Sequence, residues 1–325
     1  VKIGIVTPAR DAAATLGDTI RSVLAQSHTD WRMAIVDDGS RDATEAVAGS
    51  FCDPRLAVLS QPTRGVSAAR NRGIAAIRAD AFLFLDADDT LVPEALAELS
   101  ATLEACPWAA AATGAWRFAP SAGPTGRTHR APEGSLLEPL LRRNRFANGG
   151  HVLVRSEAVA EAGPFDTALR YGEDWDYWVR IALCGEFAAA GSAAPLLLVR
   201  QRPEGAYARL AADPASFDPC MAAIFGNPAL AERLGHRRVA ELRRAASAEN
   251  AWVIGREMIR HGRSAAGFVW LRHAVRLLPS VRRLALLAAV PAVLQLPAAL
   301  RGALRPYADA GRPAHQPGAA LAEPG

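Results

Sequence analysis

The chain has 325 residues, half of them hydrophobic, enough for one large α/β domain with an appendage or for two domains, and too apolar for a disordered chain. Its formal net charge is +4 and Lys2 is its only lysine, so the positive charge rests on arginine; that balance suits nucleic acid, an anionic membrane or a phosphate-bearing substrate alike. Cys52, Cys106, Cys184 and Cys220 are far apart with no C-x-x-C, which argues against a zinc site or a disulfide framework and for reduced thiols in a cytosolic compartment.

Lys2 to Thr7 is a β-branched run closed by Pro8, so the chain opens on a strand pattern, with no signal peptide expected. Leu16, Ile20, Val23 and Leu24 then recur at helical spacing within Ala14 to Gln26. Trp31 to Val36 reads as a second strand ending at Asp37-Asp38-Gly39-Ser40, and Asp42 with Glu45 has the spacing of a capping box that starts a helix to about Gly49. A third strand (Leu56 to Leu59), a third helix (Ser67 to Ile77) and a fourth strand (Ala81 to Leu85) follow. Strands alternating with helices at this pitch predict an α/β fold, a mostly parallel sheet with helices on both faces. Ligands of such sheets lie beyond the carboxyl ends of the strands, where Asp38 and Asp86 both fall.

The pattern continues with a helix from Pro93 to Cys106, a strand from Ala109 to Phe118, and a Gly-, Pro-, Ser- and Thr-rich loop from Ala119 to Gly134. Gly150 to Val154 reads as a strand, Ser156 to Ala162 as a short helix ended by Gly163-Pro164, Asp174 to Cys184 as a helix, and Leu196 to Arg200 as the last strand. Beyond Ala206 the composition turns to Arg and Ala with helical periodicity, Leu271, Ala274, Val275 and Leu278 sharing one face. Leu284 to Leu300 is apolar between Arg282, Arg283, Arg301 and Arg305, yet it falls short of the roughly 20 residues a spanning helix needs and is broken by Pro291, Gln295 and Pro297. Attachment to an anionic membrane surface is the favoured expectation, ahead of packing against protein and of spanning. The expected division is a domain over 1–205, a helical region over 206–305 and a Pro-, Gly- and Ala-rich disordered tail over 306–325.

The stretch Phe82 to Leu96 carries the chemistry. An apolar strand stops at three carboxylates, Asp86, Asp88 and Asp89, before Pro93 opens a helix. Crowded like charges are costly without a cation between them. Hard oxygen ligands on an open loop suit Mg²⁺ or Mn²⁺ shared with a substrate phosphate, while a solvated acidic turn capping the helix is the other reading.

Five pieces stand in a fixed order: Ile5 to Leu16 (IVTPARDAAATL), Val36 to Ser40, Arg64 to Gly73, Leu85 to Asp89, and Gly172-Glu173-Asp174-Trp175-Asp176. This order resembles the family 2 glycosyltransferases over roughly residues 1–205. The resemblance implies a GT-A fold, which is Rossmann-like, and an inverting enzyme that moves a sugar from a nucleoside-diphosphate donor, UDP before GDP or dTDP, to a saccharide or lipid-linked acceptor in bacterial surface polysaccharide, glycolipid or glycoconjugate synthesis. It places Asp38, Pro8 and Arg10 at the nucleotide base, Arg70 beside the nucleotide, Asp86 at the ribose or the metal, and Asp88 on Mg²⁺ or Mn²⁺ bridging the diphosphate. Asp174 is the implied general base, with Glu173 and Trp175 on the acceptor side; a helix cap for the two acids and core packing for Trp175 and Trp178 are the alternatives. The family often has Tyr where Arg10 stands, Asn where Asp11 stands, and a metal-reaching His where Arg202 stands; an arginine pairs with diphosphate oxygens rather than ligating a cation. His151 reads as a packed or surface histidine. A nucleotidyltransferase would want a Gly-rich, Lys-bearing phosphate loop after the first strand, which TPARDAAATL is not, and a non-catalytic nucleotide-sugar-binding or assembly protein would not need all four aspartates. Nucleic-acid binding is not expected, because the arginines are scattered rather than interleaved with aromatics.

Overall fold

Every residue from Ile3 to Ala9 except Pro8 is buried, so the first strand, β1, lies in the middle of a sheet and not at its edge. The computed structural model describes residues 1–119, 126–200 and 213–295, with side chains through 289. Around β1 the chain builds α1 (Leu16–Leu24), β2 (Trp31–Asp38), α2 (Thr44–Gly49), β3 (Leu56–Gln61), α3 (Val66–Ala76) and β4 (Ala81–Phe84). After these come β5 (Thr90–Leu91), α4 (Ala95–Ala105), β6 (Ala109–Thr113), β7 (Trp116–Phe118), α5 (Leu137–Arg142), β8 (Val152–Arg155), α6 (Ser156–Ala162), α7 (Glu173–Cys184), β9 (Glu186–Ala189) and β10 (Leu197–Val199).

The main sheet has the order β3-β2-β1-β4-β8-β6-β9. All neighbours are parallel except β8, which runs antiparallel to both β4 and β6. The chain leaves β1 on one side to form β2 and β3, then crosses back to lay β4 on the other, so the strand order reverses at β1. Reversal opens a crevice beyond the carboxyl ends of β1, β2 and β4. The amino end of β8 faces the same edge, because β8 runs the other way. A second, three-stranded sheet, β5-β10-β7, flanks the acidic loop that follows β4.

Alternation along the strands sends side chains to two cores. Ile3, Ile5, Met33, Ile35, Leu83 and Leu85 pack with α1 and α4 on one face; Val6, Ala34, Phe82 and Phe84 pack with α5, α6 and α7 on the other. In the second core Phe84 meets Phe165 edge-on at 5.0 Å and Phe165 stacks on Tyr177 at 3.8 Å, forming an aromatic floor beneath the start of α7. The C-terminal helices Asp218–Gly226, Pro228–Leu234 and His236–Arg260 add Cys220, Met221, Ile224, Leu230, Leu242 and Ile254 to this same core. Helix Ser264–Leu277 packs on the far side of His236–Arg260 through Trp252, Leu271, Ala274 and Val275, and helix Val281–Gln295 follows it.

Several elements differ from the sequence reading. The single strand expected over 109–118 is two strands in two sheets, parted at Gly114, where a Cβ would meet Leu196 at 2.7 Å. The capping box is incomplete: Asp42 accepts from the Thr44 N–H at 3.0 Å, but Glu45 takes the Ser60 hydroxyl instead of reaching back. The loop expected from Ala119 contains two bridges near its end, Trp116 with His129 and Gly134 with Phe187. Arg202 and the tail 306–325 lie outside the described residues.

Candidate active site

The loops after β1 and β2 are clasped together by short polar side chains. Asp11, in the left-handed region at φ 48, receives the Arg41 N–H at 2.8 Å and gives its own N–H to Ser40 Oγ at 3.0 Å. Ala12 and Ala13 donate to Thr44 Oγ1 and Asp42 Oδ2. Aspartate tolerates the left-handed region better than most residues, which lets the loop fold back on itself. Pro8 is half-buried and Arg10 exposed at this rim.

Asp38 ends β2, only 4 % exposed, and its carboxylate organises the entry into α3. Oδ1 accepts from Gln61 Nε2 at 2.7 Å and from the Arg64 N–H at 2.8 Å; Oδ2 accepts from the Gly65 N–H at 2.8 Å. The negative charge thus sits at the positive end of α3, where the helix dipole favours it. The sequence reading gave Asp38 to a nucleotide base; in this conformation its carboxylate holds three of the chain's own donors, two on Oδ1 and one on Oδ2.

Four residues into α3, Arg70 turns inward and is 5 % exposed. It joins two elements: Nη2 reaches Asp86 Oδ1 at 3.2 Å after β4, and Nη1 reaches Glu173 Oε1 at 3.1 Å at the start of α7. Burial by itself would lower the guanidinium pKa; Asp86, Glu173 and Asp174 together outweigh it, and the pKa is raised. The close seat of α3 on the sheet depends on Gly73, where a Cβ would lie 2.4 Å from Val6 Cγ1.

Of the three acidic residues after β4, Asp86 and Asp88 are half-buried at the mouth of the crevice and Asp89 is buried. Asp89 accepts from Asn148 Nδ2 and, at 2.8 Å, from the Arg200 N–H, tying the loop to the end of β10. Burial, then the charges of Asp86 and Asp88, push the Asp89 carboxyl up to about 8. The part of that rise owed to Asp86 and Asp88 is like-charge repulsion, which a divalent cation would relieve. Among the described residues no three acid, His or Cys side chains form a metal cage. Two carboxylates on an open loop fit a Mg²⁺- or Mn²⁺-type ion completed by substrate oxygens, not a closed protein site.

Asp174 stands in the first turn of α7, after Gly172, whose φ of 73 sharpens the entry to the helix. Its Oδ1 accepts from the Trp175 N–H at 2.7 Å and its Oδ2 from Asn144 Nδ2 at 2.9 Å. Burial, then Glu173, raise the carboxyl to about 7, against the pull of Arg70. A carboxylate with that affinity for protons is suited to general-base work near neutral pH. Trp175 corrects an expectation. It is 2 % exposed with its indole N–H given to the Leu140 carbonyl, so it is core and offers no face to an acceptor. His151 is likewise core: Nδ1 contacts the Gly114 carbonyl at 2.9 Å, and burial pulls its pKa down to about 4.

Arg70, Asp86, Glu173 and Asp174 therefore share one polar cluster, and Asp38 adjoins it through α3. The sequence reading missed Asn144 and Asn148, which contact Asp174 and Asp89. Their one signal is the N-x-x-x-N spacing between a helix and a Gly-Gly pair, too common in loops to single out.

The family model for glycosyl transferase family 2 matches residues 4–163. The succinoglycan biosynthesis protein ExoO of Rhizobium meliloti is 30% identical over 265 residues, covering 75% of this chain and 75% of that protein. The chain belongs to glycosyl transferase family 2. The family 2 fold is matched in turn by the crystal structure of S. aureus TarS 1-349, at a TM-score of 0.59 and 15% identity over 90% of this chain and 87% of that one; TarS is also solved with UDP and with UDP-GlcNAc. The mannosyltransferase PcManGT of Pyrobaculum calidifontis, solved with GDP-Man and Mn²⁺, aligns at a TM-score of 0.57 and 18% identity over 93% of this chain and 82% of that one. A family 2 glycosyltransferase is a transferase by chemistry, and the GT-A expectation for the fold holds.

Proposed function

We propose that this glycosyltransferase takes a nucleoside-diphosphate sugar, a UDP-sugar first among the choices, and transfers the sugar with inversion to an acceptor hydroxyl in bacterial polysaccharide synthesis. The observation that carries the reading is Arg70, which binds Asp86 and Glu173 at once and so brings the acidic loop and the start of α7 to one crevice. Asp174 accepts the proton of the acceptor hydroxyl as its oxygen attacks the anomeric carbon; the bond from that carbon to the diphosphate breaks, and the departing nucleoside diphosphate carries the electron pair away. Asp88 and Asp86 would hold Mg²⁺ or Mn²⁺, which supplies Lewis-acid stabilisation to the leaving diphosphate. Pro8 and Arg10 line the rim where the base would lie, with Asp38 shaping the Thr63–Gly65 turn beside it. Glu173 orients Arg70, and Arg202 remains a diphosphate partner on sequence grounds alone. The solved complexes of TarS with UDP and of PcManGT with GDP-Man and Mn²⁺ support the donor class and the metal.

A peripheral place on the cytoplasmic face of the membrane belongs to the same reading. From Met258 to Ala308 the chain has eight arginines and no Asp or Glu. Val281, Leu284 and Leu286 stand exposed on the helix Val281–Gln295. Exposed aliphatic side chains beside arginines suit an anionic lipid surface. Among the described residues no helix is long and apolar enough to cross a membrane.

A panel of UDP-, GDP- and dTDP-sugars, assayed for nucleoside diphosphate release with a mixed glycan and lipid-linked acceptor pool, tests the reading. Turnover with one donor that requires Mg²⁺ or Mn²⁺ is expected. Equal turnover in EDTA would contradict the metal assignment.

A further inference from the structure

Asn144 and Asn148 lie between α5 and β8, outside every motif in the sequence, and they are built alike. Asn144 Oδ1 accepts the Phe146 N–H at 3.1 Å, and Asn148 Oδ1 accepts the Gly150 N–H at 2.8 Å. Each side chain closes a turn onto the backbone two residues ahead. The turn also fixes which way the amide faces: with the oxygen committed to a backbone N–H, the NH₂ group must point to the other side. On that side each meets a carboxylate of the site, Asn144 meeting Asp174 and Asn148 meeting Asp89.

We propose that Asn144 is a positioning residue for the general base, fixing the plane of the Asp174 carboxylate and favouring its charged form. The proposal rests on the reading of Asp174 as the base. Oδ1 is bound by the helix's own Trp175 N–H and Oδ2 by Asn144, so the carboxylate cannot rotate, yet each oxygen keeps a second lone pair for the proton it must take. The groups around it act in opposite senses. Glu173, on the same helix, disfavours a second negative charge; Arg70, from α3, favours it but divides its donors between Asp86 and Glu173. Cys220, from helix Asp218–Gly226, is held neutral by burial, its thiol directed to the Gly172 carbonyl at 3.3 Å. Arg143 and Arg145 flank Asn144 but are exposed, so solvent weakens their field. Asn144 supplies the side-chain hydrogen bond to the carboxylate, and it favours the ionised form.

Asn144→Asp separates positioning from structure. The new side chain still accepts the Phe146 N–H and preserves the turn, but it replaces the donor at Asp174 with a like charge. Titration of the Asp174 carboxyl carbon by NMR in the full chain needs no substrate, and its midpoint is expected to rise by about one pH unit in the variant. With an active donor, the acid limb of kcat should move by the same amount, lowering kcat about tenfold below the limb, while UDP affinity by calorimetry changes less than twofold. Asn144→Ser, which retains a turn acceptor and loses the reach to Asp174, should shift the midpoint in the same direction. An Asp174 midpoint unchanged in both variants, or a kcat that falls equally at every pH, overturns the proposal. Full transfer by Asp174→Asn would instead remove the base reading, and the NMR midpoint tells these two failures apart.

Discussion

Asp174 is held where its charge is disfavoured, and that placement has a measurable cost. Its folded pKa near 7 stands above the ordinary 3.8, so between about pH 4 and 7 the folded chain keeps a proton that the unfolded chain releases. Stability therefore falls as pH rises through that window. Asp174→Asn is expected to raise the melting temperature relative to wild type at pH 8 and to leave it nearly unchanged at pH 4, while cutting transfer by at least about 100-fold. Thermal melts at the two pH values check the first part. Asp38 makes the opposite trade. Removing its carboxylate strands the Arg64 and Gly65 N–H groups and Gln61, so Asp38→Ala should lose about 2–4 kcal/mol in urea unfolding. Asp86 and Asp88 stood out in the sequence as acids crowded at the end of an apolar strand, whereas Asp174 and Arg70 were marked only by the family resemblance. The hydrogen bonds of Asp38 and the burial of Trp175 were not legible, since both depend on chain segments brought in by the fold.

Among the elements, α3 links the two halves of the crevice. Asp38 fastens its amino end, Gly73 lets it sit against β1, and Arg70 reaches from its middle to β4 and α7. Gly73→Ala should push α3 off Val6, at a cost of about 1–3 kcal/mol, and weaken UDP binding although residue 73 touches no ligand; urea unfolding and calorimetry on the same preparation would show both losses. The βαβ repeat through β4 was readable because apolar strands recur at even spacing and α1 has a clear apolar face of Leu16, Ile20 and Val23. Later elements were harder. β6 (AAAAT) was read as a strand but run together with β7, β9 is EFAA, where alanine conceals the strand character, and β5 has only two residues. The six-residue α5 was missed too, although Ser135 and Glu138 have capping-box spacing; Glu138 is instead bound by Arg238.

For the whole molecule, the two cores have different extents. The core beneath α1 and α4 draws on residues before 200, while the other continues from Phe84 through Trp178 into the helices after residue 217, so the C-terminal region supports the floor of the crevice. Its last helix faces outward with apolar side chains. Flotation with phosphatidylglycerol vesicles should recover the protein and with phosphatidylcholine should not, and Leu284→Asp with Leu286→Asp should abolish recovery without changing turnover on a soluble acceptor.

Whether carboxylates from separate elements enclose a cation-bound diphosphate is tested most directly by calorimetry of UDP binding with and without Mn²⁺, in wild type and Asp88→Ala. UDP should bind wild type at least about tenfold more tightly with Mn²⁺, and Asp88→Ala should lose that gain while keeping its fold. Equal UDP affinity with and without Mn²⁺, or a full Mn²⁺ gain in Asp88→Ala, would contradict it.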